Sequence, residues 1–181
     1  MNKGLPQWLL ITLVVAFAGL GLMIFDARED LHTYQTYFRD KSPEVSLRIG
    51  ELSTRMDEAA FHKHFEGIRI QCVAEQSTLG DRLCYSSIDS ADGLPALTLL
   101  AFLNKGKLAF VIVHVPWWRH GTWLKSLKQK YGSFRKAGVT GDERGAVLRW
   151  TLENGFLEMS QKRAFNPLAW STVMWTGSAG Q

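Results

Sequence analysis

Residues 8–25 read WLLITLVVAFAGLGLMIF, eighteen positions without a charge and with Thr12 as the one hydroxyl. As a helix this run would be about 27 Å long, enough to cross the hydrocarbon of a bilayer at the short end of the usual range. It lacks the polar stripe that a surface helix of a soluble domain carries. The pattern predicts a transmembrane helix over 8–25, with residues 1–7 as a short cytoplasmic tail. A helical linker is expected over 26–49. There Asp26 would cap the continuation into water, Leu31, Tyr34 and Phe38 recur at spacings of three and four, and Pro43 breaks the run. A short helix should follow, opened by Ser53 or by the later pair Met56 and Asp57. Its apolar stripe would be Ala60, Phe61, His64 and Phe65, and Gly67 would close it.

Beyond Gly67 the period falls to two. Ile68, Ile70 and Cys72 alternate with Arg69, Gln71 and Val73, and residues 83–88 read as the returning strand after a turn at 77–81. Residues 90–95, SADGLP, read as another turn. Strands are expected over 96–103 and 108–115, joined by the tight connection Asn104-Lys105-Gly106-Lys107 and stopped by Pro116. Residues 122–131 form an amphipathic helix with Trp123, Leu124, Leu127 and Tyr131 on one face and Gly132 at its end. Gly138, Gly141 and Gly145 mark a glycine-rich loop. Strands over 146–152 and 156–160 flank the turn Glu153-Asn154-Gly155, and a last strand covers 170–175. The order predicts an α+β fold: an N-terminal transmembrane helix, then an antiparallel sheet with helices packed on one face. The domain should span 50–176, with a disordered tail over 177–181.

Three stretches of this pattern, residues 102–108 around the Lys-Gly-Lys turn, residues 124–132 ending in Tyr-Gly, and residues 149–158 around the Asn-Gly turn, carry a resemblance. Over roughly residues 50–175 the chain resembles the superfamily that contains the beta-lactamase inhibitor protein and the small lipoprotein of the outer-membrane assembly machine. The resemblance implies a binding or scaffolding domain rather than an enzyme. The chain departs from those lipoproteins in having no lipidation cysteine and a transmembrane run in its place.

Topology and cysteine usage point to the same compartment. A cleavable signal peptide is the alternative to an anchor, since Ala16-Phe17-Ala18 matches a small-x-small site. Cutting there would leave the apolar residues 19–25 on the new terminus, which favours the uncleaved reading. Lys3 before the run and Asp26, Arg28, Glu29 and Asp30 after it lean towards an N-in, C-out orientation. Cys72 and Cys84 are the only cysteines. In an oxidising compartment they can pair, and closing so short a loop stabilises by about 3 kcal/mol in a chain-entropy model. The expected location is the inner membrane of a Gram-negative-type bacterium, single-pass, with the domain in the periplasm.

Charge locates the candidate surface. Residues after 30 carry 19 basic and 14 acidic side chains, a net of +5, yet residues 93–141 contain no Asp or Glu. That stretch holds Trp117, Trp118, Arg119, His120, Lys125, Lys128, Arg135 and Lys136, the expected binding face. Basic and indole side chains together suit a membrane or periplasmic protein complex, or anionic lipid. Nucleic acid is not expected, because of the compartment and because no zinc finger, KH loop or RNP-type aromatic pair is present. No zinc-protease, nucleophile-elbow or phosphate-loop motif is present, and no cofactor is expected. The alternative is a small enzyme or ligand sensor with a pocket near His62, His64 and Glu66.

Overall fold

A computed structural model of the chain describes residues 6–26, 28–139 and 145–178. The Lys3 end of the tail, Gly141, residues 179–181 and the Asp26 side chain lie outside the described residues.

Helix α1 (Gln7–Asp26) is long and apolar enough to cross a membrane, and none of its hydrophobic window is buried against the domain. Helix α2 (Arg28–Arg39) follows, with Tyr34 buried and Phe38 exposed. The helical linker is shorter than expected. After Arg39 the chain is extended, and Val45, Leu47 and Ile49 alternate into the core with Leu52 behind them, so the folded domain takes in residues from about 44 onward. Helix α3 (Glu58–His64) starts at the second of the two expected caps. Asp57 Oδ1 accepts a 2.9 Å hydrogen bond from Ala60 N, satisfying one of the orphan amides of the first turn. The second long domain helix, α4 (His120–Tyr131), ends at Gly132, whose φ of 69° suits glycine.

The sheet contains eight strands in the order Gln71–Ser77, Gly80–Ser87, Thr98–Asn104, Lys107–Val115, Ser171–Gly177, Gly155–Ser160, Ala146–Leu152 and Arg135–Val139, every neighbouring pair antiparallel. We label the strands in chain order: β1 (Glu44–Val45), β2 (Gln71–Ser77), β3 (Gly80–Ser87), β4 (Ser90–Ala91), β5 (Leu94–Pro95), β6 (Thr98–Asn104), β7 (Lys107–Val115), β8 (Arg135–Val139), β9 (Ala146–Leu152), β10 (Gly155–Ser160) and β11 (Ser171–Gly177). Register sets Leu99 opposite Val113, Val113 opposite Val173, Val111 opposite Trp175, and Trp175 opposite Leu157. These residues share one face, and Phe61 of α3 with Trp123 and Leu127 of α4 join the same buried cluster. The domain is therefore α+β, an antiparallel sheet with its helices on one face. Trp123, Trp150 and Trp175 are fully buried there, each a site where truncation to alanine costs about 3–5 kcal/mol.

Two stretches differ from their sequence reading. Residues 90–95 are not a bare turn. Strands β4 and β5 pair around Asp92 and Gly93, both at positive φ, and β1 adds to β4 in parallel. Asp92 Oδ1 accepts from Leu47 N at 2.8 Å, so this small sheet fastens the segment leaving α2 to the domain. The glycine-rich loop begins later than expected, because β8 pairs with β9 across a register shift between Lys136 and Gly138. Cys72 and Cys84 lie directly opposite each other on β2 and β3 and are joined as a disulfide with Cα atoms 4.0 Å apart.

Gly155, φ 151°, opens β10, and a Cβ there would overlap the Thr176 carbonyl oxygen of β11. Gly155→Ala is expected to destabilise by about 3 kcal/mol or more through forced backbone displacement at that pairing, read as a lower urea midpoint with an unchanged slope.

Candidate binding site at the end of the apolar helix

Pro116 stops β7, and the chain makes a 3-10 turn over Trp117–Arg119 before entering α4. That turn is gripped from two sides. The Trp117 indole Nε1 donates to Ala164 O at 2.6 Å, and the Arg163 guanidinium lies 3.6 Å from the centroid of the same ring. Trp118 stacks on Phe38 of α2 at 5.8 Å and 19°, and sits 5.5 Å from Tyr34. Trp117 N donates to the Tyr34 hydroxyl at 3.4 Å. The loop between β10 and β11 in turn reaches back to α1, where Asn166 Nδ2 donates to Met23 O at 3.2 Å. One end of the domain is thereby built from the last turns of α1, helix α2, the Trp117–Arg119 turn and the 161–170 loop.

The expected binding residues divide. Arg119, Lys125 and Lys128 are exposed, and the Lys128 ammonium rests 5.0 Å from the Phe134 ring centroid. Arg135 and Lys136 are exposed on β8 at the sheet edge, with Arg135 Nη2 donating to Thr151 Oγ1. Trp118 is half exposed, whereas Trp117 is half-buried and engaged as described. His120 lies inside: its Nδ1 is 2.8 Å from Ser171 Oγ, and burial lowers its pKa from the ordinary imidazole value. It orders the interior beneath the basic surface and does not belong to that surface. Lys130, on the same helix, is paired with Asp92 at 2.9 Å.

An open crevice of about 1390 Å³ runs between α1 and the β10–β11 loop. Its apolar walls include Leu22, Met23, Phe165 and Pro167, and Lys162 and Arg163 stand at its polar side. Lys162, Arg163 and Phe165 were not among the residues expected from sequence. Their signal was faint: a Lys-Arg pair followed by Ala-Phe-Asn-Pro in a stretch with no periodicity.

The residues of the alternative reading do not converge. His64 is buried, with Nε2 3.0 Å from Leu47 O, while Glu66 is exposed beyond the helix. His62 turns instead towards the disulfide, Nε2 lying 3.5 Å from Cys72 Sγ and 4.0 Å from Glu58 Oε1. Glu58 is hydrogen-bonded to Arg82, which holds its carboxyl below the usual carboxylate pKa. Among the described residues Glu58, Cys72 and Cys84 bring potential metal-ligating atoms within 4.8 Å, but the two sulfurs are bonded to each other and offer no thiolate. No protein-family model, no curated protein and no solved structure matches this chain, so its function rests on its own residues.

Proposed function

We propose that the chain is a membrane-anchored periplasmic accessory or scaffolding protein, non-enzymatic, that binds a partner of the cell envelope through its basic, Trp-bearing face. In this reading α1 spans the inner membrane of a Gram-negative-type bacterium, and the α+β domain stands outside the cytoplasm. The observation that carries it is the clasp around Trp117 and Trp118. It gathers aromatic side chains and the start of the basic strip at the end of the domain nearest the apolar helix. A tethered domain meets ligands in or on the same membrane at high effective concentration, so a modest face suffices. The disulfide agrees with an oxidising compartment, and the resemblance noted from sequence implies binding rather than catalysis.

Charge reversal tests the face without emptying its packed indoles. Arg119→Glu, Lys125→Glu and Lys128→Glu together should lower in-cell cross-linking to membrane partners and flotation with phosphatidylglycerol vesicles. Each charge near an anionic surface contributes about 1 kcal/mol, so the combined loss should exceed tenfold. Tm should stay within about 2 °C of wild type, as expected for exposed sites. Undiminished cross-linking and flotation would remove this surface from the reading. Replacing Trp117, Trp118 and Arg119 by alanine should produce at least as large a loss, but with a lower Tm, because the indoles also hold α2 and the 161–170 loop.

A further inference from the structure

We infer that the crevice between the end of α1 and the 162–167 loop is a binding site for one anionic glycerophospholipid. This deepens the proposed function and rests on its placement of α1 in a bilayer.

Position is the first argument. Met23, whose carbonyl accepts from Asn166, lies three residues before the end of α1, which is about 4.5 Å along the helix axis. With α1 across the membrane, that level is the boundary between acyl chains and headgroups. The loop therefore sits where a lipid presents its phosphate, with apolar Leu22 and Met23 below and the folded domain above. Phe165 on this loop is three-quarters exposed, and in this placement its ring would lie at the level of the acyl chains.

Chemistry is the second. The lining pairs an apolar floor with Lys162 and Arg163, contains no carboxylate, and neither cation makes an ion pair among the described residues. Arg163 is held in place over Trp117, so its fork is oriented before a ligand arrives. A phosphodiester suits these two cations, and an acyl chain suits the wall formed by Leu22, Met23 and Pro167. The crevice, about 1390 Å³, is open rather than enclosed, so a lipid can occupy it without being threaded into the fold. A zwitterionic lipid would satisfy the walls equally but would leave the cationic side without a net counter-charge.

The test uses the full-length protein reconstituted in nanodiscs of phosphatidylcholine doped with phosphatidylglycerol. Native mass spectrometry of the released protein counts the lipids retained. Wild type should keep one phosphatidylglycerol in preference to phosphatidylcholine. Lys162→Gln with Arg163→Gln should lower that preference about 25-fold, fivefold per charge, whereas Lys63→Gln with Arg69→Gln, exposed and outside the crevice lining, should leave it unchanged. Equal retention of both lipids by wild type, or an unaltered preference in the Lys162/Arg163 variant, would overturn the site. Displacement of the lipid by soluble glycerol phosphate would overturn its acyl-chain half. Carbonate extraction of cell membranes separates the two levels. A chain that stays in the pellet yet shows no lipid preference loses the crevice alone. A chain released into the supernatant loses the anchor and the crevice together.

Discussion

Placing aspartate at both Val14 and Val15 should abolish membrane retention. These two side chains stand in the middle of α1 and are about two-thirds exposed, with no domain surface covering them. A carboxylate at the centre of a spanning helix costs about 2.5–3.5 kcal/mol on insertion scales, so two cost about 5–7 kcal/mol, more than a helix at the short end of the range can absorb. The expected wild-type result is a full-length chain in the carbonate-washed pellet, with Cys72 and Cys84 protected from alkylation until a reductant is added. In the double variant the chain should appear in the soluble fraction with both thiols reactive, because a domain held in the cytosol meets a reducing pool. The coupling of the two readouts is the informative part. Loss of pellet retention with the disulfide intact would indicate export without anchoring, the result a cleaved signal peptide gives. A wild-type chain already soluble at its full mass would remove the anchor from the argument.

The sequence was most informative where patterns are local. The eighteen-residue apolar run, the positive-φ turn at Lys105 and Gly106, and the disulfide arms at Cys72 and Cys84 each depend on residues close together in the chain. The same is true of α4, whose stripe of Trp123 and Leu127 faces the core as its spacing implied. Strand β8 was not legible because all of its residues with a described exposure are exposed, so no alternation marks it, and its pairing is interrupted at Gly138. Strands β4 and β5 were hidden for a different reason. Their two-residue lengths leave no period to read, and their stability depends on the distant Leu47 amide.

The candidate site shows the same division. Its composition was visible, since an acid-free stretch and adjacent indoles can be read directly. Its architecture was not. Trp117 is anchored by Ala164, forty-seven positions away, His120 by Ser171, fifty-one positions away, and Met23 by Asn166, one hundred and forty-three positions away. Those long-range bonds turn a run of basic and aromatic residues into a surface with an inside and an outside. His120 goes to the interior, Arg119 stays out, and Lys162 and Arg163 arrive from a different part of the chain.

Acid should destabilise the domain through His114 more than its surface chemistry alone would suggest. His114 lies on β7 between Thr98 of β6 and Thr172 of β11, and its ring stacks on Trp170 at 4.6 Å and 18°. Thr98 Oγ1 is 2.9 Å from Nδ1, close enough for the hydroxyl to donate to the neutral ring. Burial with no facing carboxylate pushes the pKa down to about 4 from 6.5. The direction of the linkage follows from that depression. Between pH 6.5 and about 4 the unfolded chain binds a proton that the folded one refuses, so stability is full above 6.5 and falls as the pH drops through this window. A difference of that size corresponds to about 3 kcal/mol once the pH is below 4, with His120 acting in the same direction. Unfolding of the full chain in detergent micelles at pH 7 and pH 4 measures the loss. His114→Gln keeps a polar side chain beside Thr98 but carries no titrating group, and it should remove about 3 kcal/mol of the difference between the two pH values. An equal difference in both proteins would mean that the ring titrates alike in the folded and the unfolded chain, so that burial beside Trp170 does not lower its pKa.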